Sequence, residues 1–523
     1  MRPGAWPWRS SARSSLPGWT SRSGTISSPS RAGSTPKWRA GSSNDGRGVV
    51  VHREVSPPMA GTTGTDGHLL HRLDHSPFTP RHARIYLTAL AGHFFDGFTI
   101  NLTGFALPGV IATFAITSGE AGALSSALFA GMLVGAAAAG IVSDRFGRRY
   151  PLAASILVFG GFSLLAAAAW SYPVLVTARA LQGVGLGAEI AIVLPYIAEF
   201  VPSRQRGPLI TLATAAWLIG LPVASGVAIA IVPSLGWRAL FYVGALPVLI
   251  ALLVALTLPE SVRYLARKGR HRKATGIVEQ LTGRPAAGAT MPAAHGGAGG
   301  SVRDLVRGRY RRYTIAVWVM EVCAGAFLYG LSTWLPTVLK SRGIGLLSSF
   351  GYTGIITASG VAGAVVAGQL VNRVGRRVAL APAFLASGLL CLLWGGVSGT
   401  AAVVVTGALA TFFGSGIAGS TLFVYASELY PTANRATGLG WAAAWQKVGG
   451  LLMPVTVGFV LSWHLSSYVF FVFFAVISVI AAVAGTIATL ETRGKTVEQI
   501  AAELSTPDSG HLVTATVESR TND

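Results

Sequence analysis

Charge is scarce in this chain. Of its 523 residues only 12% are Asp, Glu, Lys or Arg, and 20 acidic residues face 41 basic ones. A soluble chain of this length carries roughly 25% charged residues, so two or three water-coated domains are excluded. Cysteine is almost absent as well. Cys323 and Cys391 both lie inside apolar stretches with no CxxC and no His partner, which excludes a disulfide framework and leaves no metal-ligand spacing. No Ser/His/Asp cluster and no phosphate-cradling loop occurs in the polar segments, so neither an enzyme nor a bound metal or cofactor is expected. The formal charge of +21 does not gather on one amphipathic face, and a nucleic-acid partner is not expected either.

Apolar residues make up 51% of the chain and the mean hydropathy is +0.54. They fall into twelve stretches, each long enough to span a hydrocarbon core of about 30 Å: 85–111, 121–142, 151–170, 174–197, 208–232, 237–258, 314–339, 351–371, 378–397, 401–427, 438–462 and 468–490. The glycines and prolines inside them permit close packing and local bends in a membrane bundle. The sequence thus predicts an all-α integral membrane protein with twelve transmembrane helices, with the lipid bilayer as its solvent.

Basic residues punctuate alternate loops. One side has Arg145, Arg148 and Arg149, then Arg204 and Arg206, twelve Lys or Arg between Glu260 and Tyr313, then Arg373, Arg376 and Arg377, and Arg435. The other side has Arg238, Lys340 and Arg342. By the positive-inside rule, both termini and the central loop are expected in the cytoplasm of a multi-pass plasma-membrane protein. The expected domains are a disordered tail over 1–80, a first bundle over 81–258, a central loop over 259–312, a second bundle over 313–490 and a polar tail over 491–523. Residues 1–58 are rich in Ser, Arg, Gly, Pro and Trp without an apolar h-region, and read as a tail or as a start-site artefact if translation begins at Met59; a transit peptide is the weaker alternative.

The two halves repeat each other. Gly140-x-x-x-Asp144-Arg145-x-Gly147-Arg148-Arg149 is answered by Gly368-x-x-x-Asn372-Arg373-x-Gly375-Arg376-Arg377, a shift of 228. Tyr196-x-Ala198-Glu199-x-x-Pro202-x-x-x-Arg206 is answered by Tyr425-x-Ser427-Glu428-x-x-Pro431-x-x-x-Arg435, a shift of 229, and Glu260 is answered by Glu491 at about 231. Matches at nearly one offset define two pseudo-symmetric six-helix bundles related by an axis along the membrane normal, with a ligand site expected between them near midplane.

Ionisable residues inside apolar spans are costly and mark function or partners. They are His93 and Asp96 in the first span, Arg179 and Glu189 in the fourth, Glu321 in the seventh and Lys447 in the eleventh, and none recurs at its offset mate. Arg179 with Glu189 reads equally as a structural ion pair or as part of a proton path. Asp96 is the leading proton carrier, because an enclosed carboxylate can load and release a proton, and His93, one turn away, can tune it. Lys447, flanked by Trp445 and Gln446, is a candidate clamp for a carboxylate; the alternative is a lysine reaching to the interface. Trp334 and Tyr329 of the seventh span join it as candidate substrate contacts or ordinary packing.

These motifs, with Arg179-Ala-Leu-Gln-Gly183-Val-Gly185-Leu-Gly187-Ala-Glu189 in the fourth span, Pro259-Glu260-Ser261-x-Arg263 after the sixth and Glu491-Thr492-Arg493-Gly494 after the twelfth, resemble the major facilitator superfamily, in its sugar-porter and metabolite:proton symporter branch. The resemblance covers about 85–500. It implies that Glu199, Arg206, Glu260, Glu428, Arg435 and Glu491, placed like Asp144 and the Arg145, Arg148, Arg149, Arg373, Arg376 and Arg377 clusters, form inter-helix salt bridges of a cytoplasmic gate that break when the transporter opens inward. The alternative is that the arginines only anchor topology and bind lipid phosphates. Asn372 in place of Asp implies a weaker gate in the second half. Organic anion transporters of this superfamily place a basic residue where Lys447 stands, and the Gln-Gln and Asn arrangement of sugar porters is missing from the seventh span. Aromatic acid:proton symporters carry a second Asp where this chain has Thr99. The expectation is a monomeric secondary transporter coupling protons to a small organic acid, aromatic carboxylates included, by alternating access; a sugar or polyol symporter, an efflux antiporter and a non-transporting sensor are the alternatives.

Overall fold

A computed structural model of the chain describes residues 69–286, 301–308, 310–431, 434–463, 467–487, 490–495, 499–500 and 503–504, all within the compact unit Gly61–Asp523. The tail expected over 1–58 lies outside the described residues. Every regular element among the described residues is helical, and twelve helices are long and apolar enough to cross a membrane. We number them α1 (Pro80–Phe114), α2 (Ser118–Phe146), α3 (Arg149–Ala167), α4 (Tyr172–Phe200), α5 (Ser203–Leu235), α6 (Arg238–Thr257), α7 (Tyr310–Ser341), α8 (Leu346–Val374), α9 (Arg376–Gly396), α10 (Thr400–Leu429), α11 (Arg435–Ser462) and α12 (Ser467–Ile487).

Local signals fix several boundaries. Thr117 caps α2 in a reciprocal box with Glu120, whose carboxylate accepts the Thr117 backbone N–H at 2.7 Å. The α2–α3 turn passes through Gly147 at φ 91° and its repeat mate, the α8–α9 turn, through Gly375 at φ 93°. Both are left-handed positions that glycine adopts without strain. A π-helical segment interrupts α7 over Ala326–Gly330 and another interrupts α10 over Phe412–Gly419. In α6 the helix breaks between Val243 and Pro247.

The sequence reading is corrected in the tail expected over 1–80. Residues assigned to the tail form an ordered helix, Leu69–Asp74, with Leu69 and Leu73 buried and Asp74 paired with Arg206. The central loop contains the helices Val262–Arg267 and His271–Thr282; the second is amphipathic and buries Ala274, Val278 and Leu281. An apolar stripe of three residues in an otherwise basic segment suffices to dock one short helix.

The two bundles touch away from the basic loops. Ser126 Oγ of α2 donates to the Leu451 carbonyl of α11 at 2.6 Å, Ser225 Oγ of α5 donates to the Phe350 carbonyl of α8 at 2.7 Å, and Phe105 of α1 meets Phe350 edge-on at 5.4 Å. Toward the basic loops the same helices lose their burial. In α2 the buried positions end at Ala139, while 140–142 and 144–146 are exposed. The bundles therefore meet on the face away from the basic loops, and α2 is exposed toward the basic face.

Candidate functional site

Most of the ionisable residues inside the spans meet near the middle of α1, α4, α7 and α11. They do so because α1 and α5 cross in close contact. A Cβ on Gly97 would sit 2.1 Å from the Trp217 carbonyl oxygen, so only glycine admits this approach. The crossing brings the Trp217 indole N–H to Asp96 Oδ2 at 2.9 Å. On the other bundle Gly325 of α7 lies equally near the Gln446 carbonyl of α11. Just beyond it the π segment presents Tyr329, whose hydroxyl accepts from Lys447 Nζ at 2.6 Å. Lys447 also donates to Gln446 Oε1 at 3.3 Å, and Gln446 Nε2 donates to Glu321 Oε2 at 3.4 Å.

The arrangement is a seam of opposite charges across the bundles. Lys447 Nζ stands 6.0 Å from the Trp217 ring and 4.9 Å from the Tyr329 ring, with Asp96 and Glu321 as its electrostatic neighbours. Asp96, Tyr329 and Lys447 are all buried. A buried ammonium without counter-charges would be expelled toward water. The lysine thus faces the junction of the bundles and does not reach for the interface. Tyr329 is also packed on Phe129 at 4.6 Å and lies edge-on to Trp217 at 6.5 Å, which makes an aromatic wall around the ammonium. Of the three N–H bonds of Lys447 two have acceptors, leaving one without a partner among the described residues.

On the first-bundle side His93 Nδ1 lies 3.5 Å from Glu189 Oε2. His93, Asp96 and Glu189 each place one ligand atom within 4.8 Å of the others, and Asp96 Oδ1 and Glu189 Oε1 have no hydrogen-bond partner among the described residues. Of the two readings of Arg179 with Glu189, the structural ion pair is corrected. Arg179 is fully buried, donates to Gln182 Oε1 at 2.5 Å and to Thr103, and stacks over Phe241 at 5.4 Å. Nor do two of the expected substrate contacts reach the seam. Trp334 is buried with its indole N–H bonded to the Pro454 carbonyl at 2.9 Å, and Trp445 packs on Trp318 at 5.6 Å. Trp217 and Phe129 were not anticipated; a tryptophan in the middle of an apolar span, away from the membrane interface where that residue gathers, was the available signal.

The duplicated loop residues form two matching knots. In the first bundle Glu199 accepts from Ser261 Oγ at 2.7 Å and the Arg263 N–H at 2.9 Å and pairs with Arg148 at 3.5 Å, while Glu260 accepts the Arg148 N–H at 2.7 Å and the Arg149 N–H at 3.3 Å. In the second, Glu428 pairs with Arg376 at 2.6 and 2.8 Å and accepts from Thr492 Oγ1 at 2.6 Å, while Glu491 accepts the Arg376 and Arg377 N–H groups at 3.0 and 3.1 Å. Each knot closes within its own bundle. Among the described residues these bonds join helix ends and loops of one bundle and do not cross to the other. The second knot is the tighter of the two despite Asn372, whose amide donates to the Gly368 carbonyl at 3.1 Å. Asp144 pairs with Arg267 at the surface, Arg206 with Asp74, and Arg145 lies over the Phe146 ring at 5.5 Å. Arg435 and Arg373 sit at the basic ends of α11 and α8.

Two six-helix bundles with a charged seam at their junction, in contact on the face away from the basic loops, define a multi-pass membrane transporter. The Major Facilitator Superfamily pattern matches residues 89–454. The chain belongs to that superfamily. It is 30% identical over 437 residues to the niacin transporter NiaP of Acinetobacter baylyi, covering 83% of this chain and 99% of that protein. It is 30% identical over 366 residues to the 4-hydroxybenzoate transporter PcaK of Acinetobacter baylyi, covering 68% and 80%, and 30% identical over 383 residues to a gallate transporter of Pseudomonas putida, covering 72% and 85%. Among solved structures, the partially occluded inward open xylose transporter XylE from E. coli superposes with a TM-score of 0.64 at 20% identity, covering 80% of this chain and 100% of that one, which is a likeness of fold.

Proposed function

We propose that the protein is a proton-coupled symporter of a small, flat organic acid, working by alternating access between the two bundles, with the basic face in the cytoplasm of a plasma-membrane protein. The observation that carries this reading is Lys447: a buried ammonium with one N–H to spare, walled by Tyr329, Trp217 and Phe129, at the junction the two bundles share. A carboxylate supplies the missing acceptor and an aromatic ring the matching surface. The relatives named for niacin, 4-hydroxybenzoate and gallate transport share that chemistry, an acid group on a planar ring.

Coupling follows from the competition for Lys447. When Asp96 is ionised it is a counter-charge to the ammonium; when it takes up a proton the ammonium is released to a substrate carboxylate. One proton and one acid then load together, with no net charge added to the seam. Trp217 holds Asp96 on one oxygen and leaves the other for the proton. A second reading is supported by the three donor atoms of His93, Asp96 and Glu189: a monovalent metal cation could take the proton's place as coupling ion.

Uptake of labelled benzoates, nicotinate, short carboxylic acids and hexoses into proteoliposomes, under a pH gradient or a sodium gradient, tests both. A proton-coupled acid transporter accumulates an aromatic acid under the pH gradient alone. Asp96→Asn should abolish accumulation while retaining exchange of labelled for unlabelled acid. Intact accumulation by the variant would refute the role of Asp96, sodium-driven uptake would favour the second reading, and preference for a hexose would end the organic-acid assignment.

A further inference from the structure

A basic cleft lies on the flank of the first bundle, and none of its lining residues belongs to the seam. The amphipathic helix His271–Thr282 does not lie flush against the ends of α1, α3 and α6; it leaves a cleft of about 700 Å³ between them. Five basic side chains line the cleft: Arg81, Arg84, Arg149, Arg270 and Lys273. Its one carboxylate is Glu260, already committed to the N–H groups of Arg148, Arg149 and Ser261.

The basic groups have few partners of their own. Arg81 and Arg149 donate to the carbonyls of Gln280 and Ala255, which carry no charge, and Arg149 Nε is buried with no acceptor among the described residues. Arg84, Arg270 and Lys273 make no ion pair among the described residues. Several like charges held in one concave space repel one another unless an anion joins them. The rim says which kind of anion. Phe146, Tyr150 and Leu256 line the same cleft and are 56%, 59% and 70% exposed, where α2, α3 and α6 reach the basic face. A small soluble anion has no use for such a rim, whereas an amphiphile buries its chains along it.

We infer that this cleft is a binding site for an anionic phospholipid, with the phosphate headgroup held by Arg84, Arg270 and Lys273 together with Arg149, and the acyl chains running along α3 and α6. Nothing in the transport reading requires it, and it stands or falls separately.

Native mass spectrometry of the full-length protein in detergent, titrated with phosphatidylglycerol or phosphatidylcholine, tests it. The wild type should retain phosphatidylglycerol in preference to phosphatidylcholine. The triple variant Arg84→Ala, Arg270→Ala, Lys273→Ala should lose that retention by about tenfold or more, since basic residues near an anionic headgroup carry the attraction. Should the triple variant misfold, the single variant Lys273→Ala, with Lys273→Arg as its rescue, asks the same question with a smaller loss. Equal retention of the two lipids, unchanged retention by the variants, or complete displacement of the lipid by millimolar inorganic phosphate would each overturn the assignment, the last by showing a free-phosphate site.

Discussion

Replacing Lys447 by Met separates its charge from its bulk. The unbranched methionine keeps much of the apolar stem that packs near Tyr329 and removes the ammonium. On the proposed reading the substrate carboxylate takes the one N–H that Tyr329 and Gln446 leave open. A hydrogen bond to a charged group is worth about 1.5–3 kcal/mol. At about 1.4 kcal/mol per factor of ten, that is about 10- to 150-fold weaker binding of the acid. The contrast is built into the ligands: nicotinate and nicotinamide have the same ring and nearly the same shape, but only the acid presents an anion. Binding to detergent-purified protein by isothermal titration, followed by counterflow in proteoliposomes, should show nicotinate weakened within that range and nicotinamide changed little. Lys447→Arg should keep part of the preference for the acid, because it retains the charge with a different donor geometry. If acid and amide weaken together, Lys447 serves packing and not anion recognition. If neither changes, the carboxylate binds elsewhere and the seam is structural.

Gly97→Ala should destabilise the protein by about 1–3 kcal/mol as an overpacking change, since its methyl would lie 2.1 Å from the Trp217 carbonyl; a lower melting temperature with lost uptake checks this, and an unchanged one would contradict the close α1–α5 crossing. Acid should loosen the second knot. Burial raises the pKa of Glu491, but the N–H groups of Arg376, Arg493, Arg377 and Thr492 outweigh it and hold the carboxyl below its ordinary value. That stabilisation is therefore complete above the ordinary glutamate pKa of about 4.3 and is lost as the pH falls through the lower folded value; Glu491→Gln should remove this part of the acid dependence of thermal unfolding. Finally, in a background lacking Cys323 and Cys391, the pair Ser225→Cys and Gly354→Cys should form a disulfide across α5 and α8, where a Cβ on Gly354 lies 2.9 Å from Ser225 Cβ. Oxidation should stop net transport and reduction restore it; transport that survives cross-linking would show that this face does not open.

The twelve spans and the repeat were legible because lipid imposes a simple rule, an apolar run of membrane length, and because duplication left the same loop motif at nearly one offset. The helices run past the apolar runs, α1 beginning at Pro80 where hydropathy pointed to Ile85, since polar turns continue the helix beyond the hydrocarbon core. The ionisable residues inside the spans announced themselves by their cost in lipid, and the structure gathers five of them, His93, Asp96, Glu189, Glu321 and Lys447, along one seam. Their partners were not legible. Trp217 reaches Asp96 only because of how α1 and α5 cross, and that crossing depends on the facing surfaces of two helices, which spacing along one chain does not encode. The carboxylates of the loop motifs were legible as partners of the basic clusters, but the sequence pattern could not show that three of them, Glu199, Glu260 and Glu491, bind backbone N–H groups of their own bundle.

The closed knots bear on how the protein is made. At the basic face Glu199 and Glu260 find all their partners among residues that precede α7, so the first six helices can settle their loop carboxylates before the ribosome has produced the rest. Asp96 is the exception. Its cationic neighbour is Lys447, some 350 residues later in the chain, and until α11 arrives Asp96 has the Trp217 indole N–H, His93 and Glu189 beside it but not that lysine. Synthesis thus leaves for last the contact that joins the two bundles at their centre.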